Sequence, residues 1–241
     1  MKFSMAKTTL FKIIFILLAF VFSSAYSNDV FHAKIYPDGE PERLAYTHTN
    51  IVEQVNDSTI LTHLYYTPKG KLYVKDIVIL YKKNPIFNSL EFYQTNDYYS
   101  CEIEGENANI YYKGANKSKR VTREVKNPLV FAPTQQEAVK NYLDDLKAGK
   151  SAHFYIFATE VLRLVDMEVE IIEDSKYERP GCIVLIMHPK SIFIDWFVDE
   201  VYYVVDKLNG RIMEMHGFST LKLKVNDKWE FRDMDFYYSY E

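Results

Sequence analysis

Runs of Val, Ile, Tyr and Phe, cut at short intervals by turn residues, constrain this chain more than any other feature. Leu44 to Val55 ends at Asn56-Asp57-Ser58, Thr59 to Tyr66 at Pro68-Lys69-Gly70, and Leu72 to Tyr81 at Asn84-Pro85. Ile86 to Gln94, Tyr98 to Ile103 and Ile110 to Tyr112 follow, with Arg120 to Val125 as an edge strand beyond the basic turn GANKSKR. Such spacing predicts a meander of antiparallel strands. Composition agrees: twenty tyrosines and sixteen phenylalanines stand against eight glycines, and aromatic and β-branched side chains suit a pleated, half-buried surface. Leu72 to Tyr81 carries Leu72, Val74, Val78 and Leu80 on one face and Tyr73, Ile77, Ile79 and Tyr81 on the other. Two apolar faces predict a strand covered on both sides.

One segment changes period. Thr134 and Glu137 have capping-box spacing, Ala138, Tyr142, Leu143 and Leu146 form a helical stripe, and Gly149 stands at the expected stop. A helix near 134–148 with one apolar face must lie on the sheet. Strands then resume at Ala152 to Thr159, Val165 to Ile171, Cys182 to His188, Ser191 to Val198, Tyr202 to Asp206 and Arg211 to His216. Asn209-Gly210 predicts a type I′ hairpin, whose two central residues need positive φ. Trp229 is the expected anchor of the polar and aromatic tail from Leu221. The expected fold is mostly β with a minor α part, in one β-rich domain over 28–241. It is a strongly curved antiparallel sheet or open β-barrel enclosing one inserted amphipathic helix.

The first residues read differently. Lys2, Lys7 and Lys12 flank the apolar run Ile13 to Phe22, and small residues follow at Ala25 and Ser27. That pattern is a cleavable signal peptide over 1–27, cut before Asn28. The apolar run is too short to span a bilayer, and no cysteine adjoins the cut for lipid attachment. No later run is long and apolar enough for a stable transmembrane anchor. The expected location is the periplasm, with secretion as the second choice. A formal charge of −4 without a basic run argues against nucleic-acid binding, which needs clustered cations.

Chemistry-bearing motifs are scarce. His32, His48, His63, His153, His188 and His216 show no metal-ligand spacing. His48 and His63 fall on neighbouring strands and, with Asp57 or Glu53, are the one metal alternative to exposed strand histidines. Asp144-Asp145 reads as a hydrated helix face. No nucleophile elbow, phosphate loop or Cys-His signature is present, so no cofactor, no metal and no catalytic residue is assigned. Cys101 and Cys182 are either a disulfide or two buried thiols. The aromatic surplus is either core or pocket lining. In the pocket reading Phe154, Ile156, Phe193, Trp196, Tyr203, Met213 and Met215 bind a ligand, methionine suiting an adaptable apolar site.

The stretch from Leu146-Lys147-Ala148-Gly149-Lys150 through Ala152-His153-Phe154-Tyr155-Ile156-Phe157-Ala158, with Phe193-Ile194-Asp195-Trp196-Phe197-Val198, Val204-Val205-Asp206 and Gly217-Phe218-Ser219, resembles a family of uncharacterised exported proteobacterial proteins. The order of strands, lid helix and late hairpin also resembles the periplasmic lipoprotein carriers of the LolA/LolB type. That likeness implies an open β-barrel that holds acyl chains. The expected function is non-catalytic binding of a lipid or other hydrophobic small molecule, for transport or sensing. A structural role against another envelope protein is the second reading, and an envelope hydrolase the third. Intact-mass measurement of the exported protein is expected to give a chain beginning at Asn28; a retained leader would refute the cleavage.

Overall fold

A computed structural model describes residues 30–159, 161–173, 175–190 and 200–241. The leader at 1–27 and the expected strand from Ser191 to Val198, with Phe193 and Trp196, lie outside the described residues. Eight strands come first: β1 (Phe31–Pro37), β2 (Tyr46–Val55), β3 (Ser58–Tyr66), β4 (Leu72–Tyr81), β5 (Asn84–Phe92), β6 (Asp97–Glu104), β7 (Asn107–Lys113) and β8 (Ser118–Glu124). Each is antiparallel to the next. After β9 (Leu129–Val130) and a 3-10 turn at Ala132–Thr134 comes helix α1 (Gln135–Lys147). Then follow β10 (Ala152–Ala158), β11 (Arg163–Ile172), β12 (Cys182–Pro189), β13 (Val201–Asp206) and β14 (Ile212–Gly217). A small hairpin, β15 (Lys222–Val225) and β16 (Lys228–Phe231), precedes the last strand, β17 (Met234–Tyr240).

Among the described residues, fifteen strands form one sheet in the order β8 to β1, then β17, then β14 back to β9. Strand β17 is the suture: its register runs Phe31 against Tyr240 on one side and Met215 against Phe236 on the other. It joins two meanders that are far apart in sequence. All pairings are antiparallel except β9 with β10.

The sheet is open, with β8 and β9 at its edges, yet those strands are consecutive in the chain. Fifteen strands side by side at about 4.8 Å spacing would hold the edges roughly 65 Å apart if the sheet were flat. The five peptide links from Glu124 to Leu129 reach at most about 18 Å. The sheet therefore curls until its edges nearly meet. At the far end of the same seam Tyr99, Tyr112 and Lys119 border one cleft with Thr159 and Leu162.

Helix α1 covers one end of the curled sheet. Ala138, Val139, Leu143 and Leu146 are buried, with Tyr142 partly so. Gln136 pins its first turn by donating to the Gly210 carbonyl (2.9 Å) and accepting from the Ile212 amide (2.9 Å) and the Tyr240 hydroxyl (2.7 Å). Gly149, at φ +77, ends the helix: the Gly149 and Lys150 amides donate to the Leu146 and Asp145 carbonyls, a Schellman closure. Thr134 does not cap α1 as its spacing predicted; its hydroxyl bonds the amide and carbonyl of Phe131 and closes the 3-10 turn. No helix among the described residues is long and apolar enough to cross a membrane.

Three local expectations change. The turn after β4 is Lys82-Lys83, both left-handed, so Asn84-Pro85 opens β5. Only Gly210 of the Asn209-Gly210 pair has positive φ. The Asp206 carboxylate accepts from the Leu208 and Asn209 amides and builds a longer turn than type I′. A side chain at Gly210 would also crowd Leu143 and Lys140 of α1. Strand β4 is covered on both faces only at its start, where Tyr73 and Val74 are both buried at a register shift; beyond it Asp76, Val78 and Leu80 are buried, whereas Ile77 and Ile79 are half-buried and Tyr81 is exposed. With one helix in the described structure, the outer face of the first meander meets solvent.

The hairpin β15–β16 leaves the sheet and plugs its interior. The Tyr46 and Tyr73 rings stack at 4.7 Å, and both hydroxyls donate to the Lys222 carbonyl, at 2.6 and 2.9 Å. Trp229 stacks on Tyr73 at 5.3 Å, the anchoring role its tail position suggested. The Lys222 ammonium lies over the Phe92 and Phe231 rings and bonds Asp97 at 2.6 Å. Burial alone would raise the Asp97 carboxyl. Hydrogen bonds from Lys222 and Tyr112, with the Lys222 charge, outweigh burial and hold it below its ordinary value. Removing one member strands a buried charge, so Asp97→Ala is expected to cost about 3–5 kcal/mol in urea unfolding at neutral pH. Asp97→Leu combined with Lys222→Met should cost much less than either single change.

Candidate functional site

The plug and the helix do not fill the curled sheet completely. A partly enclosed cavity of about 90 Å³ remains between the two meanders. Phe31 on β1, His48 on β2, and His63 and Tyr65 on β3 make one wall. Ile156 on β10, Met187 on β12, Tyr203 on β13 and Met215 on β14 make the facing wall. Phe236 and Tyr238 on β17 join them, while Pro133, Gln136 and the loop at 218–221 surround the mouth. Strands remote in the sheet meet here because the sheet curls, and alternate residues of each point inward.

The inner face of the first meander carries a row of polar groups across four strands. His48 and His63 are buried, with His48 Nε2 and His63 Nδ1 3.1 Å apart. Asp76 on β4 is the cross-strand neighbour of His63, and the Asn88 amide donates to its carboxylate at 2.6 Å. Phe31 packs against both imidazoles, with ring centres 5.3 and 5.6 Å away, while its amide donates to Asn50. Burial holds the His48 imidazole well below its ordinary range, helped by the nearby His63 and His32, and pulls His63 down to about 3. Burial pushes the Asp76 carboxyl up to about 7, against the bond from Asn88. His48 Nδ1 is buried without a hydrogen-bond partner among the described residues.

These histidines were expected at the strand surface and are instead interior; only their approach to one another was foreseen. Glu53 and Asp57 are exposed, and no group of three His, Cys, Asp or Glu among the described residues is arranged to hold a metal. Of the expected ligand-binding residues, Ile156, Tyr203 and Met215 line the cavity. Phe154 is buried core on β10 and does not border it. Met213 falls at the bulge where the β13–β14 register passes from Glu214 to Ile212, and it does not border the cavity either. Phe193 and Trp196 lie outside the described residues. Cys101 on β6 and Cys182 on β12 are both free thiols, so no bridge joins them; burial pushes the Cys101 thiol up to about 12. The wall made by Phe31, His48, His63 and Tyr238 was missed. The alternation of β1 and β17 (Phe31, Ala33, Ile35; Met234, Phe236, Tyr238) was its available signal.

A second polar cluster, on the outer face of β14, behaves differently. His216 Nδ1 is 2.6 Å from Asp235 and Nε2 3.0 Å from Glu214, whose other oxygen takes Arg179 at 2.6 Å. Tyr177 stacks on the His216 ring at 4.0 Å. Every ring nitrogen and both Glu214 oxygens are engaged, and the cluster clasps the β11–β12 loop to the sheet.

No protein-family profile matches the chain, and no curated protein matches it. Among solved structures it is similar to a β-barrel-like protein of domain of unknown function DUF1849 from Brucella abortus. The TM-score is 0.49 with 8% identity, over 88% of this chain and 98% of that one.

The raised Asp76 carboxyl has a stability consequence. The folded chain keeps this proton from its ordinary 3.8 up to about 7, a window in which the unfolded chain has released it. Its contribution is complete below pH 3.8 and is lost as pH rises through 7, by roughly 4 kcal/mol at 1.4 kcal/mol per pH unit. The depressed histidines act oppositely, losing stability as pH falls below 6.5. Asp76→Asn should therefore stabilise at pH 8 relative to its effect at pH 4 by about 3 kcal/mol; equal urea midpoint shifts at the two pH values would refute this.

Proposed function

We propose that the protein is a non-catalytic binding protein of the cell envelope that holds a small, largely apolar molecule inside its curled sheet. The observation that carries this is the cavity itself. It is an interior space with aromatic, methionine and aliphatic walls and one buried imidazole nitrogen unmatched among the described residues. Ligand sites have this makeup, mostly apolar with a few placed polar groups. The saturated Glu214–His216–Asp235 cluster offers no comparable unused group. The signal-peptide pattern at 1–27 and the likeness to the lipoprotein carriers both favour an envelope setting, the periplasm first.

The volume narrows the occupant. About 90 Å³ is below the few hundred Å³ of common ligand pockets and below the roughly 150 Å³ of a cavity that takes benzene. A whole lipid does not fit within these walls; a small molecule, or the tip of a chain whose remainder leaves by the mouth, does. Xenon followed by 129Xe NMR is the matching probe. Saturable uptake is expected, with loss of uptake in Met215→Trp, a cavity-filling change costing about 1–3 kcal/mol of stability while circular dichroism stays native. Wild-type protein that takes up no xenon, and carries no small-molecule adduct in native mass spectrometry, would refute the binding role.

A further inference from the structure

We infer that the occupant of this cavity is an uncharged molecule carrying a hydroxyl group, held by a hydrogen bond between that hydroxyl and His48 Nδ1. The inference rests on reading the cavity as a binding site and specifies what the site selects.

The imidazole pair determines the choice of functional group. His48 Nε2 and His63 Nδ1 are 3.1 Å apart, so one of them carries the proton between them. If His48 donates, its Nδ1 is a bare lone pair and needs a donor. If His63 donates, a neutral His48 carries its proton on Nδ1 and needs an acceptor. A hydroxyl both donates and accepts and satisfies either arrangement. A carbonyl or ether satisfies one, and a hydrocarbon leaves a buried nitrogen unmatched, which is costly.

The surroundings determine the charge. No Lys, Arg, Asp or Glu is among the described lining residues. Behind the histidine pair stands Asp76, cross-strand from His63 and itself buried. A carboxylate entering here would find no cation among the described lining residues and an acidic neighbour behind the histidine pair. Burial also resists protonation of either imidazole, which removes the remaining counter-charge. The carbon skeleton has its own place: His48 is edged by the Phe31 and Tyr65 rings at 5.3 and 4.8 Å, and Met187, Met215 and Phe236 provide an apolar bed. The class this selects is the small aliphatic alcohols, including a hydroxylated chain end.

Hexane, 1-hexanol and hexanoate, titrated into the purified protein and into His48→Phe at pH 7.5, test the inference. His48→Phe should weaken 1-hexanol about tenfold while hexane changes by no more than about twofold, since only the alcohol loses a hydrogen bond. Hexanoate should not bind. The 15N resonance of His48 Nδ1 in the unsubstituted protein should move with 1-hexanol and not with hexane, which needs no variant to fold. Equal weakening of hexane and 1-hexanol, an unmoved Nδ1 resonance, or preferential binding of hexanoate would each overturn the hydroxyl assignment and leave the cavity as an apolar site. Failure of both hexane and 1-hexanol to bind would overturn the binding role together with the assignment.

Discussion

The short tether between the two sheet edges is the constraint on which the rest of the structure depends. Because β8 leads into β9 within a few residues, fifteen strands cannot lie open as a twisted plane. Curling exposes a concave inner face that must be filled, and a sheet this wide encloses more space than its own side chains occupy. The chain supplies two fillers. Helix α1 covers one end, pinned through Gln136 to β14 and β17, and the β15–β16 hairpin enters the interior and is locked through Lys222 to Asp97 and the Tyr46–Tyr73 stack. The space between these fillers is the cavity.

The polar networks of this fold are of two kinds, and the difference bears on function. The Lys222–Asp97 pair and the Glu214–His216–Asp235–Arg179 clasp are saturated internally. Such networks tie separate segments together and have nothing left to offer a ligand. The His48–His63–Asp76 row is incompletely matched: His48 Nδ1 has no partner among the described residues, and burial displaces all three titrating groups toward neutrality. A hydrophobic residue at position 48 would avoid that cost. Retaining an imidazole there, against the Phe31 ring and beside an apolar cavity, is economical only if something else completes the bond.

Much of the fold was legible from local pattern. Strand runs and turn residues marked the meanders on both sides of the helix, because side-chain alternation and turn chemistry act within a few residues. The helix and its Gly149 stop were legible for the same reason, as was Trp229 as an anchor. Features that depend on a distant partner were not. The Asn209-Gly210 turn yields to the Asp206 carboxylate and to the packing of α1 against Gly210. Thr134 closes the turn at Phe131 instead of capping α1. Ile156, Tyr203 and Met215 were identified from one half of the chain; the opposite wall belongs to the other half and carries histidines that resemble surface residues in one dimension.

Sequence alone determined that this chain builds antiparallel strands in two series around one amphipathic helix, and that it carries a surplus of aromatic side chains. These follow from periodicity and composition, which are local. Only the tertiary structure decided that β17 sutures β1 to β14, that the sheet curls without closing, and that His48 faces Met215 across a small cavity. The physical reason is that inward and outward are the same for a strand until its neighbours are known. Alternation says that two faces differ, and only the curl of the whole sheet decides which of them encloses a site.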